Sequence, residues 1–273
     1  MLPRILILIA LAAVHLAAAD PPWKKRLTPV VPGPFMPVPS GTIDLQVSWK
    51  GMIDAGKLRM EWAPPDAHKP GAYIVRSSAQ SIGLAAVLFP YQNNFWAELD
   101  PTSLKPRLFH AVETDAEETK TTTSRFLDDH VEYKESAKSL TDGKVSDKNV
   151  EFKFAPVFEI FSAMLMVRSQ KLNDGDQIVL VLQPFDSAHL LHVTVMGHEV
   201  HHDRKTIRLS VAMDHIARKS LTLKPYKKLK GDATLWLSDD DDRIPVELRA
   251  AVFIGDVRAT LTNYQPTKEN GNH

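Results

Sequence analysis

The feature that most constrains the fold is a long series of short segments in which apolar and polar residues alternate. The segment TIDLQVSW places Ile43, Leu45 and Val47 on one face of a strand and polar side chains on the other. This two-residue period is typical of a half-buried β-strand. Similar segments recur between Gly-, Asp- and Pro-containing turns, among them LRMEW, AYIVRSS, RLFHAVE, HVEYKE, KTIRLSVAM and DVRATLTNY. The pattern predicts a mainly β protein, with a large curved antiparallel sheet or open barrel of about ten or more strands.

One segment departs from this pattern and predicts a helix. In APVFEIFSAMLMVRSQKLNDG, Pro156 suits a first helical turn and apolar residues recur at helical spacing. We expect it to be the one main helix, packed against the sheet. Its apolar surface is wide and rich in Met, which suits variable apolar ligands, although plain core packing explains it as well. The candidate ligand-binding residues are Phe158, Phe161, Met164 and Leu165 on this helix, and Trp236 in a later strand.

Residues 1–19 have the layout of a secretory signal peptide. Arg4 precedes an apolar run from Ile5 to Val14, and small residues follow before Asp20. The apolar run is shorter than the roughly 20 residues that cross a bilayer. We therefore expect an exported protein, periplasmic or secreted, with no transmembrane span in its mature chain.

The rest of the chain is predicted to have three parts. Residues 20–40 contain seven prolines and predict a semi-rigid, solvated arm. Residues 41–265 form a single β-rich domain, and residues 266–273 a disordered tail. The absence of cysteine excludes disulfides and the acylated N-terminal cysteine of a bacterial lipoprotein. With 33 basic and 33 acidic residues, nothing indicates a nucleic-acid partner.

The segment MGHEVHHDRK contains His198, Glu199 and His202 in the H-E-x-x-H spacing of zinc metallopeptidases. That chemistry needs a helix, on which two histidines one turn apart face the same metal. Here the flanking segments alternate and Gly197 weakens a helix, so we predict a strand, a turn near Asp203 and a second strand. In a strand, His198 and His202 lie about 13 Å apart, too far for one zinc ion. We expect no metal, with adventitious binding at His198 and His202 as the alternative.

Other motifs of chemistry are absent or incomplete. The aspartates of SDDDDRIP do not make an EF-hand, because the sixth and twelfth positions from Asp240 hold Pro245 and Ala251. They are predicted to accept hydrogen bonds from their own turn. The sequence has no G-x-S-x-G elbow, no S-x-x-K followed by K-T-G, and no Walker or G-x-G-x-x-G loop. No enzyme class and no cofactor follow from it.

Three stretches carry a family resemblance: AELDPTSLKPRLF, FEIFSAMLMVRSQKLNDGD and WLSDDDDRIPVELRAAVFIGDVRATLTNY. They resemble a bacterial exported family known as domain of unknown function 3108. The resemblance runs from about Thr42 to Tyr264 and is most specific around Trp236, Arg243 and Pro245. It implies a β-rich envelope protein whose fold is similar to open barrels such as the periplasmic lipoprotein carriers. It implies no activity, and H-E-x-x-H is not a feature of the family.

Three functional hypotheses follow. The leading one is a non-enzymatic periplasmic protein that binds a lipid, another amphiphile or an envelope component in a concave sheet. The second is a zinc-dependent hydrolase with His198 and His202 as ligands, Glu199 as base, and His192 or Asp203 as third ligand. The third is an assembly factor whose arm and sheet edge dock to another envelope protein.

Overall fold

The computed structural model describes residues 20–36, 40–63, 71–252 and 255–266. The predicted signal peptide and residues 267–273 of the predicted tail lie outside this part of the chain, whereas Pro266 ends the last strand. Within the described residues, no helix is both long enough and apolar enough to span a bilayer. The described part of the chain starts with a short 3-10 helix, Pro22–Arg26, and continues as strands with two α-helices.

The first half of the domain is a run of antiparallel neighbours. The elements are β1 Gly41–Trp49, β2 Ile53–Ala63, β3 Tyr73–Ser81, α1 Gly83–Leu88, β4 Gln92–Leu99, β5 Pro106–Thr114, β6 Glu118–Phe126, β7 Val131–Ser139 and β8 Val145–Phe152. Each strand pairs with the next along the chain. This half is therefore a meander whose edge is β8.

The second half completes the same sheet. Its elements are α2 Ile160–Ser169, β9 Gln177–Leu182, β10 Ala188–His201, β11 Arg204–Ile216, β12 Leu223–Pro225, β13 Ala233–Ser238, β14 Pro245–Val252 and β15 Gly255–Pro266. The last strand pairs with β1, so the order is β8-β7-β6-β5-β4-β3-β2-β1-β15-β14-β13-β11-β10-β9, with β12 added beside β11. The prediction of one large antiparallel sheet is confirmed, and the fifteen described strands agree with the expected ten or more.

The sheet bends into an open barrel. Five described strand pairs contain a register shift, a feature that increases local bending and twist: Asp44/Leu45, Val47/Ser48, Glu98/Leu99, Val195/Gly197 and Trp236/Leu237. The curvature brings Phe152 of edge strand β8 and Val179 of edge strand β9 into one buried cluster with Trp23. No ladder joins these two edges among the described residues. Buried side chains and the N-terminal arm, whose backbone hydrogen-bonds to β9, fill the gap.

The Pro-rich arm is part of this closure. Trp23 is buried, and its Nε1 donates to the Leu221 carbonyl at 2.7 Å. The Thr28 amide donates to the Val179 carbonyl, and the Val179 amide donates to Thr28 Oγ1, both at 2.9 Å. The expectation of a solvated spacer is therefore wrong at Trp23 and Thr28, which contact the β-rich domain, whereas the other residues of 20–36 are exposed or half-buried. The physical reason is the edge of β9, whose backbone groups need partners that the arm supplies.

Helix α2 lies against the inner face of the sheet. Its core cluster includes Trp62 of β2, Phe109 of β5, Leu180 of β9 and Ile207 of β11, so strands from both halves converge on it. This is the predicted main helix. The short helix α1 was not predicted, because six residues are too few to show a helical period.

Candidate functional site

The four candidates predicted on the main helix lie in or beside the packed core. Phe161, Met164 and Leu165 belong to α2, but the prediction is wrong for Phe158, which precedes the helix and forms an isolated β-bridge with Leu182. Phe158, Phe161 and Leu165 are buried, and the Phe161 ring lies 6.2 Å from that of Phe109. Met164 is half-buried and packs at the side of the same cluster. Protein side chains already surround three of the four positions. Of these four, only Met164 retains open surface.

The start of α2 is held by a buried carboxylate. Glu159 Oε2 accepts from the Phe161 amide at 2.7 Å and Oε1 from the Ser162 amide at 2.5 Å, while Ser162 Oγ accepts from the Glu159 amide. This reciprocal capping satisfies backbone donors that the first helical turn leaves free. Burial raises the pKa of Glu159 to about 7, against the opposing effect of these hydrogen bonds.

The end of α2 is held by two arginines. Arg243 donates to the Gln170 carbonyl at 2.6 Å and to the Lys171 carbonyl at 3.0 Å, just beyond the last helical turn. Arg168 is buried over the Trp62 ring and donates to the Asp242 carbonyl. Cationic side chains are stabilised near the C-terminal end of a helix, which carries a partial negative charge. These contacts tie α2 to the acidic turn that precedes β14.

The acidic turn is stabilised by hydrogen bonds from its own backbone to the Asp240 side chain. Asp240 Oδ1 accepts from the Asp242 amide at 3.1 Å, from the Arg243 amide at 3.0 Å and from Ser238 Oγ at 2.6 Å. The prediction of an aspartate-capped turn is confirmed. This turn positions the Arg243 side chain at the end of α2.

A cavity of about 620 Å³ lies among β1, β2, β3, β4 and β15. Aliphatic and polar groups both line it: Leu45, Leu58, Ala79, Arg59, Gln80 and Asn93. Arg59 also forms an ion pair with Asp44 at 2.9 Å. The lining suits a molecule with both apolar and polar parts.

Beside the cavity lies an exposed apolar surface, here termed the apolar tip. It consists of large side chains that are each 48% to 77% exposed: Met52, Ile53, Leu84, Val87, Leu88 and Phe89. Helix α1 has the sequence GLAAVL, without a polar side chain. It joins β3 to β4, two strands that line the cavity, and Phe89 contacts Trp49 edge-to-face at 6.2 Å. Such contiguous patches are uncommon on monomers and mark contact sites.

The H-E-x-x-H residues lie in a strand and its turn. Strand β10 runs to His201, and His202 and Asp203 form the hairpin turn, with φ of 49° and 57°. His198 Nδ1 contacts Asp174 at 2.8 Å, whereas His202 Nε2 contacts Glu247 at 2.7 Å. The strand–turn–strand prediction is confirmed.

The hydrolase alternative is therefore wrong in its stated geometry, because it required a helix on which His198 and His202 face one ion. Its possible third ligands lie elsewhere: His192 Nε2 contacts Asp214 at 3.2 Å, and Asp203 is exposed in the turn.

A different histidine cluster forms at the tip of the β10–β11 hairpin. His201 Nε2 and His202 Nε2 lie 2.6 Å and 2.7 Å from Glu247 Oε2. Arg249 Nε donates to Glu247 Oε1 at 2.6 Å. Burial alone would raise the pKa of Glu247, but hydrogen bonds from Arg249, His201 and His202 outweigh it and hold the pKa at about 2.

Trp236 lies in this cluster rather than beside α2. Its ring stacks on His201, with centroids 4.2 Å apart and planes 9° apart, and the Arg249 guanidinium lies over its ring. Trp236 Nε1 donates to Glu199 Oε1 at 2.7 Å, so Glu199 holds the indole in place. The structure thus does not bring Trp236 together with the four helix candidates.

A family model for "Protein of unknown function (DUF3108)" matches residues 44–262. The chain belongs to the DUF3108 family. The match spans most of the β-rich domain, as the resemblance of the three stretches implied. No curated protein matches the sequence.

Solved structures show a similar fold for this DUF3108 domain. The β-barrel-like protein of domain of unknown function DUF1849 from Brucella abortus is 9% identical and has a TM-score of 0.55. That likeness covers 85% of this chain and 99% of the other. The lipoprotein LppX of Mycobacterium tuberculosis is 10% identical over 85% of this chain and 90% of its own, with a TM-score of only 0.23. The first comparison supports the open-barrel fold and says nothing of a ligand.

Sequence reasoning missed the apolar tip and the partners of the histidine cluster. The run GLAAVLFPY, free of charge between two strands, was an available signal for the tip. Glu247 and Arg249 alternate on β14 like any polar residues of a strand, so no local signal marks them.

Proposed function

We propose that this DUF3108 protein is a non-enzymatic, exported component of the cell envelope that binds an amphiphile in the cavity of its curved sheet. The observation that carries the proposal is the position of the apolar tip beside the cavity. The predicted signal peptide supports an envelope location. The cavity and the apolar tip are the surfaces that we propose make contact there.

The cavity supplies the chemistry for an amphiphile. Its volume of about 620 Å³ falls within the usual range of small-molecule sites, roughly 300–1,000 Å³. Leu45, Leu58 and Ala79 offer apolar surface to a hydrocarbon tail. Arg59 and Gln80 offer hydrogen-bond donors to a polar head group. One molecule with both parts satisfies this lining better than a purely polar solute.

The apolar tip supplies the contact with a lipid surface. Six exposed apolar side chains have no protein partner to cover them among the described residues, and α1 adds no charge. Trp49 and Phe89 are of the aromatic type that favours the bilayer interface, and exposed Lys50 adds a cation for anionic head groups. We therefore place the tip against the membrane from which the amphiphile enters the cavity.

Helix α2 has a supporting role in this proposal. Phe161 and Leu165 of α2, with Phe158 just before it, fill the core on the inner side of the sheet, and Met164 is half-buried beside them. The arm, which the assembly hypothesis needs for docking, is bound to its own β9 edge. Amphiphile binding needs no release of these contacts.

Filling the cavity tests the proposal. We expect the substitution Ala79→Trp to weaken binding of a fluorescent fatty acid at least tenfold, because the indole occupies the space of the tail. The matched control is Ala251→Trp at an exposed position of β14, which should bind as the wild type does. Equal binding by all three proteins would disprove the cavity as the site, provided that both variants unfold cooperatively.

The natural ligand is accessible through the native host. Untagged protein purified from that host should show, in native mass spectrometry, an added organic mass of several hundred daltons that organic extraction removes. A bare chain that also fails to bind a panel of fatty acids, lysolipids and phospholipids would contradict the proposal.

A further inference from the structure

We propose that His201, His202 and Glu247 form a zinc site on the surface of the sheet. Their ligand atoms, the two Nε2 atoms and a carboxylate oxygen, all lie within 4.8 Å of one another. The site shares no residue with the cavity and stands independently of amphiphile binding. It also differs from the H-E-x-x-H pattern, since only His202 belongs to both.

The fold brings the three residues together from two places in the chain. Trp236 of β13 pairs with Glu247 of β14 in the ladder. The tip of the β10–β11 hairpin lies over Trp236, as the stacked His201 ring shows. This placement carries His201 and His202 across to Glu247, which is 46 and 45 residues away in sequence.

The distances are close to those of a coordination shell. Zinc binds imidazole nitrogen and carboxylate oxygen at about 2.0–2.2 Å, so its ligand atoms lie about 3–3.5 Å apart. The two imidazole nitrogens are 2.6 Å and 2.7 Å from Glu247 Oε2. Insertion of an ion requires each side chain to move outward by less than about 1 Å. Neutral imidazoles present Nε2 to the ion by carrying the proton on Nδ1.

The backbone holds the histidines in this arrangement. His202 and Asp203 both have positive φ, 49° and 57°, as the two central residues of a tight hairpin turn require. That conformation is uncommon for residues other than Gly, although Asn, Asp and His adopt it more often than the rest. Here it places two adjacent imidazoles 4.3 Å apart, centroid to centroid, against one carboxylate.

Residues around the ligands fix their orientation. Arg249 holds Glu247 chiefly through Oε1, which leaves Oε2 directed at the imidazoles. Trp236 fixes the plane of the His201 ring and is itself held by Glu199. Such supporting contacts are what metal ligands need to keep one geometry.

The ligand set selects the kind of ion. Two imidazoles and one carboxylate suit zinc and other first-row transition metals, whereas calcium and magnesium prefer oxygen ligands alone. The Glu247 side chain is only 1% exposed, but that of His202 is 52% exposed, so one side of the site faces solvent. A bound zinc would complete its shell there with water.

Zinc titration tests the site with two matched variants. Metal-stripped, untagged protein is titrated with zinc chloride against a chromogenic chelator, and native mass spectrometry gives the stoichiometry. We expect one zinc per chain in the wild type. His202→Asn should weaken zinc binding at least tenfold, and Asn tolerates the positive φ of this turn. His198→Asn, on the strand that leads into this turn but bonded to Asp174, should bind zinc as the wild type does.

Two results would overturn the proposal. One is a wild-type protein that takes up no zinc at micromolar free metal. The other is a loss of zinc in His198→Asn equal to that in His202→Asn, which would place the ion elsewhere. Glu247→Gln provides a second check, because it keeps the side-chain shape and removes the anionic ligand. If this variant is folded and binds zinc unchanged, the assignment of Glu247 is wrong.

Discussion

The two helices have similar compositions and opposite environments. In α2, eight of ten residues are buried, and both ends are fixed by side chains. In α1, only Ala85 of six residues is buried, and no side chain caps the first turn. Apolar residues predominate in both: α1 has no polar side chain, and α2 has three among ten residues, Ser162, Arg168 and Ser169. Apolar composition therefore does not by itself identify the core, and the exposed helix indicates a surface that another molecule covers.

The contacts at the two ends of α2 explain why this helix, and not α1, stabilises the fold. Glu159 closes the start of α2, and Arg243 closes its end from a distant turn. The Glu159 contact satisfies buried backbone amides, whose burial without a partner is costly. The Arg243 contact joins segments that lie far apart in the chain. Helix α1 has no side-chain cap at its start, and the contact of Phe89, just beyond its end, is with Trp49 at the end of β1.

The largest expected difference in stability between the two helices follows from truncating one leucine in each. We expect Leu165→Ala in α2 to lower the free energy of unfolding by about 2–5 kcal/mol, because it leaves a cavity in a close-packed core. Leu84→Ala in α1 removes an exposed side chain and should change the free energy of unfolding by less than about 0.5 kcal/mol. Chemical denaturation of both variants measures the two values. Similar losses would show that α1 is also part of the core.

The cap of α2 should make stability depend on pH. The folded protein retains a proton on Glu159 up to about pH 7, whereas the unfolded chain releases it near pH 4.5. Raising the pH from 4.5 to 7 therefore favours the unfolded chain, and the wild type loses stability on the order of 3 kcal/mol at this site, with no further loss above pH 7. Glu159→Gln should lack this decrease. If both proteins show the same denaturation profile across this range, Glu159 titrates normally.

Removing the arginine cap should have a smaller effect. Arg243→Ala deletes hydrogen bonds to the Gln170 and Lys171 carbonyls and should lower the free energy of unfolding by about 1–3 kcal/mol. Lys144→Ala is the control, because its ion pair with Asp142 is exposed and contributes at most about 0.5 kcal/mol. An Arg243 variant as stable as the control would show that water satisfies the end of α2 equally well.

A substitution in the apolar tip should affect membrane binding while leaving stability almost unchanged. Val87→Asp places a charge on the apolar tip, where the side chain is 76% exposed, and should alter stability by less than about 0.5 kcal/mol. Its co-sedimentation with phospholipid vesicles should nevertheless fall markedly. Val145→Asp, at a 60% exposed position of edge strand β8, is the matched control and should sediment like the wild type. Equal vesicle binding by the three proteins would remove the tip from the proposal.

The sequence by itself determined the strands, the main helix and the acidic turn. Alternation such as that of Ile43 and Leu45 is a local property, because successive side chains of a strand point to opposite faces. The same argument correctly assigned the residues around His198 to a strand. The resemblance of the last stretch, around Trp236, likewise indicated the family that the profile over residues 44–262 shows.

Tertiary structure decided which side chains meet. His201 and Glu247 are brought together because a hairpin tip lies over Trp236. The arm is ordered at Thr28 because the neighbouring edge of β9 offers unpaired backbone groups. The exposure of Val87 and the burial of Leu165 likewise depend on which elements lie alongside each helix. Local patterns fix the faces of strands and helices, whereas strand order and curvature across the sheet fix the sites.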